Sequence, residues 1–492
     1  MHFAHRPAPL SMRRGRQPTG VREMAELQPA AGAAAHEHAP QGGATSGRVP
    51  LPRLIAYALI ELPVGGAMNA TSLFLGFHYA SLGVSLAQIG GIMMFARLLD
   101  VLIDPAVGLM SDRTRAKWGR RKVWIVAGAP VFVLACWKLF MPPSDVTALY
   151  FAGWLVLFWL GFSMINIPYY AWGAELSPDY HERTRITTWR TIAGTLGSFL
   201  FLAIPAVRQQ IFGVGGQPGE VLAMIAGITL LTVPAFIALA ALNVPDRGVA
   251  AGTQHVPLLR GIRVMSRNGP FLRLLAAFTI VGLGPVLQGA MFPFFMKHVV
   301  GDTTSGPKIL LIYFPTVALG ILLWAALARR IDKHRAWMTG MTLMACVTVA
   351  YMLVGKGDIV LMVCILATSG IASGALSALP ASMKADVVDL DALESGEDRA
   401  GLFFAAWSLA VKFIAAIGQG AAFTALAWIG FNAQGDNGPD EVFGLRVFYS
   451  AGPMVLYVIA LLIVWRYPIT AARHAQLRES LEARRPVAGT GG

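Results

Sequence analysis

Two carboxylates lie one helical turn apart in a stretch of the chain that is otherwise apolar. Asp100 and Asp104 are four residues apart and Arg97 precedes Asp100 by three, so a helix places the three side chains on one face. Two acids at this spacing in a low-dielectric setting do not both ionise readily; they share a proton or hold a cation between them. The pattern predicts a site for a coupling ion. The alternative is a structural ion pair between Arg97 and Asp100.

Other polar side chains interrupt apolar stretches elsewhere in the chain. Groups of this kind line a polar cavity or satisfy a backbone carbonyl of a neighbouring turn. Lys412 can also neutralise an acid across a helix interface, or extend its ammonium group to a polar surface. We expect five of these residues to line a substrate cavity: Glu61, Asn166, Arg190, Gln288 and Lys412.

The motifs of several functional classes do not occur in the sequence. It contains no P-loop, no HExxH zinc motif and no nucleophile elbow, so neither an enzyme nor an organic cofactor is predicted. The cysteines Cys136, Cys346 and Cys364 have no CxxC spacing and imply no disulfide framework. The one metal ion that the pattern accommodates is Na⁺ at Asp100 and Asp104.

The composition is that of a membrane protein. Of the 492 residues, 55% are hydrophobic and 14% are charged, whereas soluble domains carry about 25% charged residues. The apolar residues form twelve blocks, each of about 20 residues, the length that crosses about 30 Å of hydrocarbon. An ionisable group at the centre of such a helix costs about 2.5–3.5 kcal/mol, which favours a functional role for the acid pair. The predicted spans are 53–79, 88–110, 122–142, 147–170, 186–207, 221–243, 271–296, 308–328, 336–354, 358–380, 401–430 and 443–466.

The charges of the loops predict the orientation. The net charge of +13 comes largely from Lys and Arg in the loops that follow spans 2, 4, 6 and 8, while the opposite loops 80–88 and 141–147 contain none. By the positive-inside rule both termini are cytoplasmic, and the same distribution argues against nucleic acid as a partner. We expect a monomeric, multi-pass inner-membrane protein whose partners are the bilayer and a small-molecule substrate.

The chain divides into two similar halves. We predict six-helix bundles over 51–243 and 271–466, a cytoplasmic linker over 244–270, a disordered cytoplasmic tail over 1–50 and a second tail over 467–492. The loop after span 2 is basic and the loop after span 10 is acidic. Because these loops lie on different halves but on the same face, we expect them to form a conformational latch, with Asp112, Arg113, Arg120, Arg121, Asp386 and Asp389 as members.

Three strings resemble the glycoside–pentoside–hexuronide:cation symporter family: ARLLDVLIDPAVGLMSDRTRAKWGRRKVW, NIPYYAWGAELSPDYHERTRITTWR and KADVVDLDALESGEDRAGLFFAAWSLAVKF. The resemblance implies the major facilitator fold, an all-α membrane protein of twelve helices in two six-helix bundles. It also implies cation ligation at Asp100 and Asp104 with Ser163 nearby. It further implies roles in a sugar cavity for Asn166, Arg190 and Lys412.

Together these observations predict a symporter, coupled to H⁺ or Na⁺, that moves a glycoside, uronide or similar solute by alternating access. Ile103 stands where the family has an Asn next to its second cation-site acid, which removes an oxygen ligand and favours H⁺. Two alternatives stay open. One is a carrier of a lysolipid-like or other non-sugar solute on the same fold. The other is a non-transporting receptor or assembly factor, which would not need Asp100 and Asp104.

Overall fold

The computed structural model describes residues 48–177, 179–212, 218–246, 265, 268–302, 305–395, 400–433, 435–465 and 467. Across these residues the regular secondary structure is helical, and twelve helices are long and apolar enough to cross a membrane. The prediction of an all-α protein with twelve spans is confirmed. The helices are α1 (Leu51–Ser81), α2 (Leu86–Arg113), α3 (Arg120–Phe140), α4 (Ala148–Glu175), α5 (Tyr180–Phe212), α6 (Pro218–Asn243), α7 (Gly269–Val300), α8 (Gly306–Ile331), α9 (Lys333–Ala350), α10 (Ile359–Ser395), α11 (Ala400–Trp428) and α12 (Pro439–Val464).

Polar side chains cap several of these helices at the residue before the helix begins. Ser85 forms a capping box with Gln88 at the start of α2. The Thr147 hydroxyl accepts a hydrogen bond from the Tyr150 backbone N–H at the start of α4. Asn268 does the same for α7. These contacts satisfy backbone N–H groups that have no partner inside the helix, so each start is fixed locally by sequence.

Two helices contain a turn of π-helix. It interrupts α1 at Thr71–Leu75 and ends α7 at Met296–Val300. The π-helical turn of α1 packs against α7. Such turns are rare and frequently mark functional sites. Here they occur on two helices that meet across the molecule.

The helices form two groups of six that meet along one interface. In the first group α3 packs on α4 and α6, α1 on α5, and α2 on α4; in the second, α8 packs on α10, α7 on α11 and α12, and α9 on α10 and α12. Between the groups, α2 packs along α11, α5 against α8, and α1 against α7. The predicted tails 1–50 and 467–492 and most of the linker 244–270 lie outside the described residues.

The two groups are in contact at the end of the bundle opposite the basic loop. Phe77 of α1 lies against Phe294 of α7, with ring centroids 4.9 Å apart. A Cβ atom added at Gly90 of α2 would lie 2.9 Å from the carbonyl oxygen of Gly420 of α11. We call this end the far end, and the end that carries the loop over residues 114–119 the basic end. At the basic end, Arg121 pairs with Asp112 and Glu175 of its own group, and Lys333 pairs with Asp386 of the second group.

The predicted end of span 10 at residue 380 was wrong, and so was the acidic loop after it. Helix α10 continues through Pro380 to Ser395. Val387 and Leu390, three residues apart, are buried at 0% and 6% exposure, so an apolar helix face continues beyond the membrane span and keeps the segment helical. Asp386 therefore lies on a helix and not in a loop. The side chain of Asp389, on the same helix, is outside the described part.

The basic loop after span 2 is also shorter than predicted. Asp112 and Arg113 belong to the last turn of α2, and Arg120 and Arg121 to the first turn of α3. The connection turns at Gly119, whose φ of 111° is one that residues with a side chain rarely adopt.

Candidate functional site

The acid pair of α2 contacts two other helices near the middle of its span. The Ser163 hydroxyl of α4 lies 2.9 Å from Asp100 Oδ1 and 2.6 Å from Asp104 Oδ1. Lys412 approaches on α11 from the second group of helices, and its Nζ donates to Asp100 Oδ2 at 2.9 Å and to Asp104 Oδ2. The Asp100 side chain is 2% exposed, that of Asp104 20% and that of Lys412 22%.

Arg97 is the second cation beside this pair. Its Nη1 lies 3.9 Å from Asp100 Oδ2. The guanidinium group stacks on the indole ring of Trp159 of α4, 3.4 Å from the ring centroid. Two cations therefore face two carboxylates, and their charges cancel when both acids are ionised. We call Arg97, Asp100, Asp104, Ser163 and Lys412 the ion cluster.

Ion pairing in this setting matters more than it does at a surface. Removing one partner from a buried ion pair leaves an uncompensated charge and is strongly destabilising. The contact between α2 and α11 includes a cation from one group and two acids from the other. The charge on the acids therefore affects how tightly the two halves are held together.

A second polar group lies in the first half, toward the basic end. The Tyr170 hydroxyl of α4 is 3.3 Å from Glu61 Oε1 of α1. The Arg190 guanidinium of α5 stacks over the Tyr170 ring at 3.8 Å from its centroid. Tyr57 and Tyr169 fix α1 to α4 beside this group, since each hydroxyl donates to the other residue's backbone carbonyl at 3.0 Å. An acid, a guanidinium and a phenol thus converge from three helices.

Glycines position α1 against α5 in this region. A Cβ atom added at Gly65 would lie 3.3 Å from the carbonyl oxygen of Gly194. Small residues allow helix backbones in a membrane to approach this closely. Gly194 is one turn beyond Arg190, so the close packing brings the guanidinium beside α1.

The five predicted cavity residues lie in different places. Glu61 and Arg190 come together as described. Asn166 is buried at 6% exposure on α4, one turn from Ser163, between the ion cluster and the second polar group. Lys412 belongs to the ion cluster. Gln288 lies in a separate cavity of the interface, where its Nε2 donates to the Tyr449 carbonyl at 3.0 Å.

Arg121 and Asp386 each have an ion-pair partner in their own half. Arg121 Nη2 lies 2.5 Å from Asp112 Oδ1 and 2.9 Å from Glu175 Oε1, all in the first group. In the second group, Lys333 Nζ lies 2.7 Å from Asp386 Oδ1. The latch between halves stays a prediction.

Sequence reasoning did not identify the aromatic partners of the two sites. Trp159 supports Arg97 and Tyr170 supports Arg190. Their spacing on α4 gave one usable signal: Trp159, Ser163, Asn166 and Tyr170 recur every three or four residues and so share one helix face.

The comparisons with known proteins agree with this architecture. The family model described as "MFS/sugar transport protein" matches residues 56–471. The chain belongs to this family. It is accordingly a membrane transporter of the symporter type and not an enzyme, as the sequence predicts.

Two relatives show the breadth of the family. A chain of Escherichia coli K12, provisionally named glycoside/cation symporter YagG, is 25% identical over 88% of this chain and 95% of its own length. Human sodium-dependent lysophosphatidylcholine symporter 1 is 23% identical over 85% of this chain and 82% of its own length. Both are named as cation symporters, so coupling to a cation is a shared feature.

The solved structures agree on the fold. A bacterial homologue of the human lysosomal transporter Spinster, in an inward-facing and unoccupied conformation, superposes with a TM-score of 0.62 at 16% identity. The match covers 88% of this chain and 99% of that one. The predicted major facilitator fold is thereby confirmed.

Proposed function

We propose that the chain is a proton-coupled symporter of a glycoside or uronide, with the ion cluster as its coupling site. The observation that carries this proposal is the position of Lys412, which reaches from α11 to both carboxylates of α2. A proton that binds Asp104 removes one of the two negative charges facing Lys412. The electrostatic attraction between the halves then weakens, so binding of the coupling ion allows the two halves to move relative to each other.

The geometry of Ser163 supports the choice of a proton. Its hydroxyl carries one hydrogen, yet its oxygen lies within hydrogen-bond distance of both acids. Once Asp104 takes a proton, its O–H donates to Ser163 Oγ and the Ser163 O–H donates to Asp100. Both contacts then carry a hydrogen without any atom moving. Na⁺ would call for further oxygen ligands, and Ile103 supplies none.

The substrate is assigned to Glu61, Tyr170 and Arg190. A carboxylate such as Glu61 accepts hydrogen bonds from sugar hydroxyls. A guanidinium such as that of Arg190 binds a carboxylate through two parallel N–H bonds, which suits a uronide. Asn166 lies between this group and the ion cluster, so substrate and coupling ion bind on the same helix, α4.

We assign the basic end to the cytoplasm of the inner membrane, from the positive-inside rule. The contacts at the far end then describe a carrier closed to the outside. Alternating access would exchange these contacts for the latch at the basic end.

The test is Asp104→Asn in energised membrane vesicles. With the titratable group removed, we expect loss of accumulation driven by an imposed pH gradient while substrate counterflow continues, because counterflow needs no net movement of the coupling ion. Asp145→Asn, which changes an exposed acid in the loop between α3 and α4, is the control and should accumulate substrate normally. Full accumulation by Asp104→Asn would overturn the assignment. If the wild-type protein accumulates substrate in response to a Na⁺ gradient and not to a pH gradient, the coupling ion is Na⁺ and not H⁺.

A lysolipid-like substrate is the second candidate, because one relative is named as a lysophosphatidylcholine symporter. Competition decides between the two: an unlabelled lysophospholipid that displaces bound uronide below its micellar concentration would favour the lipid.

A further inference from the structure

A cavity of about 280 Å³ lies in the interface between the halves, and the function proposed so far does not use it. Its walls come from α1 and from helices of the second group. No charged side chain is among the residues that line it. Five of the lining residues carry aromatic rings: Phe292, Tyr313, Phe314, Tyr351 and Tyr449. The cavity is therefore aromatic and uncharged, in contrast to the Glu61 and Arg190 group.

The polar groups of this cavity are largely paired with the protein itself. The Tyr313 hydroxyl donates to Ser373 Oγ at 2.9 Å, and the Tyr351 hydroxyl lies 3.2 Å from Ser369 Oγ. The Gln288 amide, as described above, is bound to a backbone carbonyl. A sugar ring placed here would have to break such contacts to satisfy its hydroxyls. A ligand group without hydrogen-bonding needs would not.

One lining side chain differs from the rest. Gln419 of α11 is 5% exposed and makes no side-chain hydrogen bond to another residue in the described part of the chain. It lies two turns beyond Lys412 on the same helix. A single amide without a partner among the described residues, in a lining whose other amides are paired, suits a ligand group with a single polar atom, such as the oxygen that joins a sugar to an aryl group.

The volume and the position of the cavity set the size of that group. Cavities of about 150 Å³ hold a benzene molecule, so 280 Å³ accommodates one or two fused rings. Asn69 lines the cavity and follows Glu61 by eight residues on the same α-helical segment. Eight residues rise about 12 Å and turn the helix by about 80° beyond two full turns, so both side chains lie on the same half of the helix surface. A ligand along α1 can thus reach both sites at once.

We infer that this cavity is an aromatic subsite that binds the aryl group of an aryl glycoside or aryl uronide. The sugar ring of that ligand lies at Glu61 and Arg190. The inference rests on the proposed function and narrows its substrate class. Offset stacking with the tyrosine and phenylalanine rings stabilises the aryl group, and the Gln419 amide donates to the glycosidic oxygen.

The experiment compares phenyl and methyl β-D-glucuronide, and the corresponding glucosides, by calorimetric titration of the purified full-length protein. We expect the phenyl compound of the better-bound sugar to bind about tenfold tighter or more than its methyl counterpart. Ala415→Phe fills the cavity from α11 and should bring the ratio to within about twofold, with little change for the methyl compound. Leu73→Trp fills it from α1 and should act in the same way. Ile417→Phe, on the exposed side of α11, is the matched control and should keep the wild-type ratio.

The outcomes separate this inference from the proposed function. Equal affinity of phenyl and methyl compounds in the wild-type protein overturns the aromatic subsite and leaves glycoside transport standing. If no sugar compound binds, the proposed substrate class fails, and phenol alone then probes the cavity by saturation-transfer NMR. A phenol signal that is lost in Ala415→Phe and kept in Ile417→Phe supports an aryl site. A signal that is equal in all three proteins overturns it.

Discussion

Lys412 is the residue on which the two halves depend at mid-membrane depth. Replacing it by Gln leaves Arg97 alone against Asp100 and Asp104, so the cluster holds one uncompensated negative charge. We expect Lys412→Gln to lower the unfolding temperature and to abolish coupled accumulation. Adding Asp104→Asn restores the charge balance, and we expect it to recover stability with a coupling energy of about 1–3 kcal/mol.

The measurement is a double-mutant cycle of thermal unfolding in detergent, followed by intrinsic fluorescence. Lys308→Gln, which also removes a lysine that contacts the other half, serves as the control because its partner Gln210 is neutral. Additive effects of Lys412→Gln and Asp104→Asn would contradict the pairing.

Arg190 is the residue assigned to a carboxylate of the substrate. Arg190→Lys keeps the charge but loses the paired N–H groups and weakens the stacking on Tyr170. We expect the KM for a uronide to rise about tenfold, with a smaller change for a neutral glycoside. The check is uptake of both substrates, with Arg208→Lys at the far end of the same helix as control. Equal effects on both substrates would show that Arg190 does not bind the carboxylate of the uronide.

At this scale the sequence identified the charged groups but not their surroundings. An acid pair on one face of an apolar helix is visible without a structure because its desolvation is costly wherever it lies. Ser163 was predicted from resemblance alone, since a serine in a membrane helix usually bonds to its own backbone. Trp159 was missed because its stacking on Arg97 depends on the packing of α2 against α4, which no local pattern encodes.

Among the elements, the contact of α2 with α11 at the far end is sensitive to added volume. A Cβ atom at Gly90 would meet the Gly420 carbonyl at 2.9 Å, whereas a Cβ atom at the adjacent Gly91 meets nothing within 4 Å. We expect Gly90→Leu to hold the far end open and to stop transport. Gly91→Leu should transport normally.

The two glycine variants are compared by the rate at which a cysteine introduced at Ser72 is alkylated. Ser72 lies in the wall of the interface cavity, and the native cysteines are replaced beforehand. An impermeant reagent added from the far side should label it faster in the Gly90→Leu protein than in the Gly91→Leu protein. Equal labelling rates would show that this contact does not close the interface.

Helix α10 shows why its boundary was misjudged from sequence. The acidic residues after Pro380 have the composition of a solvated loop, but Val387 and Leu390 are buried and continue the helical period of the apolar residues. Pro380 is tolerated because a proline inside a long helix breaks only local hydrogen bonds and the packing on both sides is retained. The prediction of a loop rested on the charge composition of this segment. The structure follows the periodicity of its apolar residues, which keeps the segment helical.

For the molecule as a whole, the orientation in the membrane is the next quantity to measure. A cysteine at Lys117 lies in the loop of the basic end and one at Ser144 between α3 and α4 at the far end. In intact cells we expect an impermeant maleimide to label the Ser144 position and not the Lys117 position. The reverse pattern would place the basic end outside.

The number of spans and the twofold division of the chain follow from apolar block length and were accessible from sequence. The state of the carrier was not. Which end of the interface is closed depends on many small contacts, such as Phe77 with Phe294, that have no separate signal in the chain.

The cancellation of charge in the ion cluster has an electrical consequence. When two cations balance two carboxylates, the unloaded site has no net charge. The step that returns the empty carrier to its starting conformation therefore does not respond to voltage. One bound proton makes the site positive, and a membrane potential then drives the loaded step with about 2.3 kcal/mol per 100 mV. A neutral glycoside would therefore produce an inward current as it enters. A uronide, with its own negative charge, would cancel that current and be taken up by the pH gradient alone.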